Sequence, residues 1–130
     1  MKRVVITGLG AITPIGNNLE EYNEGLKKGQ SGAGPITRFD ASNFKTKFAC
    51  EVKNFNPEDF IDRKEVRRMD LFTQFAMVCS DEALADSKLL ESTLDLDRIG
   101  VIWGSGIGGL RSLEAEIETF ATGNGIPRFN

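Results

Sequence analysis

The stretch Ile99-Gly-Val-Ile-Trp103-Gly-Ser-Gly-Ile-Gly-Gly109, followed by the amphipathic run from Leu110 to Ala121, decides how this chain is read. Ile99 to Trp103 is a continuous apolar run, the pattern of a strand buried on both faces. The glycines break it, and the helix that follows is stopped by Gly123. Working back along the chain, Asp70 to Ser87 predicts another helix. Phe72, Phe75, Ala76, Cys79 and Ala83 form one stripe, and Leu71, Met77, Val78 and Leu84 widen it, so this helix is expected to be covered on more than one side.

The remaining elements alternate in type. Arg3 to Thr7 is a short β-branched run ending in Gly8-Leu-Gly10, the signature of a buried strand entering a tight turn. Asn17 or Asn18 can cap the next helix, with Leu19, Tyr22 and Leu26 on one face, Glu20 and Glu21 in the positive first turn, Lys27 and Lys28 in the last, and Gly29 closing it. Gln30 to Lys47 is rich in Gly, Ser and Thr and reads as an ordered connection anchored by Phe39 and Phe44. Phe48, Cys50 and Val52 alternate as one face of a strand would. Asn56-Pro57-Glu58-Asp59 has the cap, the proline and the acidic first turn of a short helix. The order β-α-β-α-β-α predicts an α/β layered fold in one unit, residues 1–130, without internal repeats.

Composition narrows the chemistry. Of 130 residues, 40% are hydrophobic and 27% charged, too apolar for disorder and enough for a core without disulfides. The net charge of -3 argues against a nucleic-acid surface, and the longest apolar run, Phe75 to Cys79, is far shorter than the ~20 residues of a membrane helix. Neither nucleic acid nor membrane is expected as a partner. Met1 to Ile6 could imitate a signal peptide, but Gly8, Gly10, Pro14 and Gly16 interrupt it. Cys50 and Cys79 stand in contexts that read as internal, and two thiols make no framework, so a reducing, cytoplasmic setting is expected. There is no histidine, which removes the usual Ser/His and Cys/His catalytic schemes from this chain.

Few residues carry a chemical signal. Gly104, Gly106 and Gly109 match G-x-G-x-x-G between a strand and a helix, but no second strand follows to present an acidic residue to a ribose. Glycines required by backbone geometry explain the motif better than a dinucleotide site does. Arg63, Lys64, Arg67 and Arg68 fall within six residues, and helical spacing would put 63 with 67 and 64 with 68 on one side, where they could steer an anionic partner or form a solvated face. Cys79 lies on the apolar stripe of its helix, a core position more than a nucleophile's, and Cys50 has no activating base beside it. Glu114, Glu116 and Glu118 are spread around a helix axis and converge on nothing.

Four separated blocks then align with one family. Arg3-Val-Val-Ile-Thr-Gly-Leu-Gly-Ala-Ile-Thr-Pro-Ile-Gly16, Lys47-Phe-Ala-Cys-Glu-Val-Lys53, Asp62-Arg-Lys-Glu-Val-Arg-Arg-Met-Asp70 and Gly104-Ser-Gly-Ile-Gly-Gly-Leu110 together resemble the beginning of a β-ketoacyl-[acyl-carrier-protein] synthase, in the family's order and along essentially all of the chain. The resemblance implies a thiolase-like fold, layered αβαβα, of which only the front of the first half is present. It also implies homodimers that elongate fatty acyl chains by decarboxylative Claisen condensation, with acyl- and malonyl-loaded acyl carrier protein as partners and no cofactor. The family's nucleophilic cysteine and its two histidines match nothing here, so no catalytic residue is expected in this chain and the chain alone is expected to be inactive. By the same resemblance Ile107, flanked by Gly106 and Gly108, matches the residue that gates the far end of the acyl pocket, and Lys64, Arg67 and Arg68 match the patch that receives the carrier protein. A non-catalytic module that docks the carrier protein or another partner is the alternative. A half-finished sheet would leave strand edges and apolar faces bare, so the piece on its own is expected to aggregate or to fold with a partner.

Overall fold

A computed structural model describes residues 3–123 and 125–126; Met1, Lys2, Asn124 and the closing residues 127–130 lie outside the described residues. The centre is a 17-residue helix to which most other segments are attached. Helix α1 runs Leu19–Lys27, α2 Arg63–Val66, α3 Leu71–Ser87 and α4 Leu110–Thr122, and strands β1 (Gly34–Pro35) and β2 (Phe48–Ala49) form an antiparallel pair. Short 3-10 turns occupy Pro57–Asp59, Leu89–Glu91 and Leu96–Arg98.

The first helix forms where its caps dictate. Asn18 Oδ1 accepts from the Glu21 amide at 2.8 Å, while the Glu21 carboxylate accepts from the Asn17 amide at 2.8 Å, so a first-turn donor and the amide just before the cap are satisfied together. At the other end Gly29 adopts φ 62°, the Gln30 amide reaches the Gly25 carbonyl and the Gly29 amide reaches that of Leu26, which is a Schellman closure.

Helix α3 has contacts on several sides, as its broad apolar girth predicts. On one side Phe55 packs edge-on against Phe75 at 5.0 Å and stacks on Phe60 at 6.2 Å, pinning the 55–60 segment. Next to them Val78 and Gln74 are the buried residues of the helix. The Gln74 amide donates to the carbonyls of Val66 and Met69, so this buried polar group is paired and fastens the end of α2 to α3. On another side the turn Gly8 to Ala11 lies directly on the helix backbone. A Cβ at Gly10 would overlap the Cys79 carbonyl, so only glycine permits this approach. Carboxylates of α3 fasten that turn: Glu82 accepts from the Ala11 amide and from the Leu19 amide, each at 2.7 Å, and Asp86 accepts from the Leu9 amide at 3.0 Å.

Three expectations are corrected. Arg3 to Thr7 and Ile99 to Trp103 carry no strand ladder, because among the described residues neither finds a partner strand. Thr7 and the run Ile99 to Trp103 instead line a groove of ≈ 780 Å³ along α3, and Val4 is 93% and Ile102 97% exposed. The strand anticipated over Phe48 to Val52 shortens to Phe48–Ala49, because its antiparallel partner starts only at Gly34, opposite Ala49, and leaves Cys50 to Val52 without a facing strand. With the ladder that short, alternation does not bury Phe48 and Cys50, and both are exposed. The helix begun by Asn56-Pro57 is a single 3-10 turn, capped as anticipated by Asn56. Phe39 and Phe44 do meet, edge to face at 5.3 Å, although both rings remain largely exposed.

Candidate functional site

The glycine segment Gly104 to Gly109 leaves the apolar run and turns into α4 beside the first turn of α3. Its two ends differ in support. Nothing would meet a Cβ at Gly104 or Gly106, whereas one at Gly108 would strike the Phe72 ring at 2.6 Å and one at Gly109 would lie 2.8 Å from the Asp70 carboxylate. Gly109 also has φ 69°, the left-handed conformation that suits glycine. Ile107, 74% exposed, stands between the open and the seated end.

Ile107 forms part of the rim of a hollow of ≈ 490 Å³, whose other walls include Arg38, Met69, Phe72, Leu110 and Arg111. The lining is apolar at the Phe72 and Leu110 end and cationic at the two arginines. Gly106 and Gly108 do not line the hollow themselves. Asp70 takes an unexpected part: it precedes α3 without capping it, and its carboxylate accepts instead from the Ser112 hydroxyl in the first turn of α4. Of the three motif glycines the backbone requires only Gly109, by its positive φ and the nearby Asp70 carboxylate; neither a close approach nor a positive φ demands glycine at Gly104 or Gly106.

The basic cluster lies immediately before this hollow in the chain. Helix α2 covers only Arg63–Val66; Arg67 is its C-cap and Arg68 follows in a turn, so the 64/68 pairing on one continuous helix is not realised. Lys64, Arg67 and Arg68 are all exposed. Arg63 pairs with Glu58 and Arg68 with Glu65, each at 3.4 Å, while Lys64 and Arg67 have no ion pair among the described residues. Met69, the residue after Arg68, is a wall of the hollow, so cluster and hollow are continuous through the backbone.

The Cys79 thiol is not poised for chemistry. Cys79 is half-buried, and burial pushes its thiol up; the Glu82 carboxylate adds to this and a hydrogen bond with the Ile12 backbone opposes it. An activated nucleophile needs the reverse. Among the described residues no group of three or more Cys, Asp or Glu is gathered as metal ligands would be. No helix is long and apolar enough to cross a membrane. Asp70, Ser112 and Arg38 escaped the sequence reading because each is locally ordinary; the bond that closes 42 residues reveals Asp70 and Ser112, and the lining of the hollow reveals Arg38.

Known proteins resemble this chain along most of its length. Residues 1–127 match the family model described as the N-terminal domain of β-ketoacyl synthase. The chain is 57% identical over 113 residues to a 3-oxoacyl-[acyl-carrier-protein] synthase 2 of Synechocystis sp., covering 87% of this chain and 27% of that protein. Its counterpart in Staphylococcus aureus is 51% identical over 113 residues, with the same two coverages. That of Coxiella burnetii is 45% identical over 121 residues, 93% of this chain and 29% of the relative. Among solved structures, the ishigamide ketosynthase/chain length factor superposes with a TM-score of 0.73 at 33% identity, over 92% of this chain and 30% of that one. The chain thus spans somewhat more than a quarter of the length of the relatives it matches, and it belongs to the β-ketoacyl synthase family through that family's N-terminal domain.

Proposed function

We propose that this chain serves as the front part of a fatty-acid β-ketoacyl synthase, which extends an acyl chain by decarboxylative Claisen condensation with malonyl-loaded acyl carrier protein. The observation that carries the reading is 57% identity, over 87% of the chain, to a protein named 3-oxoacyl-[acyl-carrier-protein] synthase 2. In such a reaction a thiolate holds the acyl group, carbon dioxide leaves the malonyl unit, and the resulting enolate attacks the acyl thioester carbonyl, releasing the thiolate. Positioned donors must stabilise the enolate and the oxyanion. Residues 1–130 hold no histidine and only two cysteines, one half-buried with its thiol pushed up and one exposed just past strand β2. The work of this segment is therefore scaffolding, pocket shape and docking, in a thiolase-like αβαβα homodimer working in the cytoplasm.

Ile107, with Gly106 and Gly108 leaving backbone room on either side, acts as the gate at the end of the acyl pocket. A β-branched side chain there limits chain length by overlap, at ~1–3 kcal/mol for each misfitting methylene. Lys64, Arg67 and Arg68 receive the acidic carrier protein. Exposed charges of this kind chiefly set encounter and register. Replacing Lys64 and Arg67 together by glutamate, in the natural full polypeptide that carries these residues, should raise KM for carrier-bound substrate about tenfold, equal to ~1.4 kcal/mol, with kcat little changed. The same exposed patch suits a docking module without catalysis, and a condensation assay on the natural full polypeptide separates the two, since residues 1–130 alone are expected to be inactive under either reading. Turnover of acyl and malonyl carrier protein to the β-ketoacyl product supports the synthase, and docking without turnover supports the module.

A further inference from the structure

The loop that carries Ile107 is fastened from a distance. Asp70 stands at the start of α3, yet its carboxylate makes no cap there. One oxygen accepts from the Ser112 hydroxyl, and the other lies where it would be 2.8 Å from a Cβ at Gly109. Ser112 is the third residue of α4, so the carboxylate sits at the positive end of that helix, where charge and dipole attract. Beside it the Phe72 ring presses on Gly108. These contacts hold the rear of the Gly104 to Gly109 loop against α3 and leave its front, at Gly104 and Gly106, untouched. Ile107 is the first large side chain in front of the fastened part.

We infer that Asp70 and Ser112 are positioning residues that set how far Ile107 can swing, and hence how sharply the pocket discriminates among acyl lengths. The role in acyl selection rests on the synthase reading; the fastening itself does not. Ser112 is exposed, so its replacement removes the bond without opening a core.

The test uses Ser112→Ala and the conservative Ser112→Thr in the natural full polypeptide, with amide hydrogen exchange and product chain-length analysis read side by side. Ser112→Ala should speed exchange across 104–112 about tenfold, as expected for loss of a hydrogen bond to a charged group. It should leave residues 19–27 and the unfolding midpoint essentially unmoved. The ratio of kcat/KM between an acyl chain that fits and one two carbons longer should fall several-fold, and Ser112→Thr should restore both readouts. Asp70→Ala combined with Ser112→Ala should be no worse than the more severe single variant, as for one shared bond. Unchanged exchange overturns the fastening, and faster exchange with an unaltered length profile overturns the link to selection. A parent protein that performs no condensation counts against the synthase reading alone, and the exchange result then still decides the fastening.

Discussion

A cysteine's surroundings decide what it can do, and the two thiols here part company on that basis. Cys79 sits on the stripe of α3 beneath the Gly8 to Ala11 turn, where burial and the Glu82 carboxylate keep it protonated. Cys50 is exposed past the end of the β2 ladder. A thiol with a raised pKa carries less thiolate at neutral pH, so iodoacetamide near pH 7.5 should label Cys50 well before Cys79 in this segment. Labelling of Cys79 should accelerate only as pH climbs beyond the ordinary thiol range; equal rates at pH 7.5, followed by peptide mass mapping, would refute the assignment. The position of Cys79 on an apolar stripe was legible from spacing alone. The exposure of Cys50 was not, because alternation over 48–52 says which residues share a face and cannot say whether that face is covered.

Elements whose boundaries are written in local chemistry were readable, and those that depend on remote partners were not. Asn18, Gly29 and the apolar spacing define α1; Asn56 and Pro57 mark their turn; Gly123 closes α4. Strands need neighbours, and Arg3 to Thr7 and Ile99 to Trp103 have the composition of buried strands without a ladder among the described residues. The glycine loop was legible as a turn, whereas its fastening by Asp70 was not, since nothing local links residue 70 to residue 112. Attachment between elements makes one energetic prediction. Glu82 is the shared acceptor for the Ala11 and Leu19 amides and so holds the Gly8 to Ala11 turn, α1 and α3 together. Glu82→Gln turns one acceptor into a donor facing an amide and removes the charge. It should cost about 1.5–3 kcal/mol, read as a lowered urea midpoint of the natural full polypeptide with the m-value retained. No change in midpoint would show that the two bonds are replaced by water without loss.

At the scale of the whole chain, the surface is too large for a self-sufficient unit. The chain exposes 10940 Å², whereas a compact monomer of 14.3 kDa should expose roughly 6,800 Å². The most exposed large apolar side chains are Val4, Ile6, Val101 and Ile102, in two runs whose backbones lack ladder partners among the described residues as well. Bare β-prone edges of this kind recruit other strands, and exposed apolar patches recruit other apolar surface. In a family whose members are more than three times longer than the matched region, such a surface is what a domain cut from its sheet would show. Residues 1–130 expressed alone should therefore bind a hydrophobic dye, sediment as aggregates or elute with a chaperone, and melt without a sharp transition. A soluble monomer with a single cooperative calorimetric peak would mean that the groove along α3 closes on itself, and that the two apolar runs pair with each other once the chain is free.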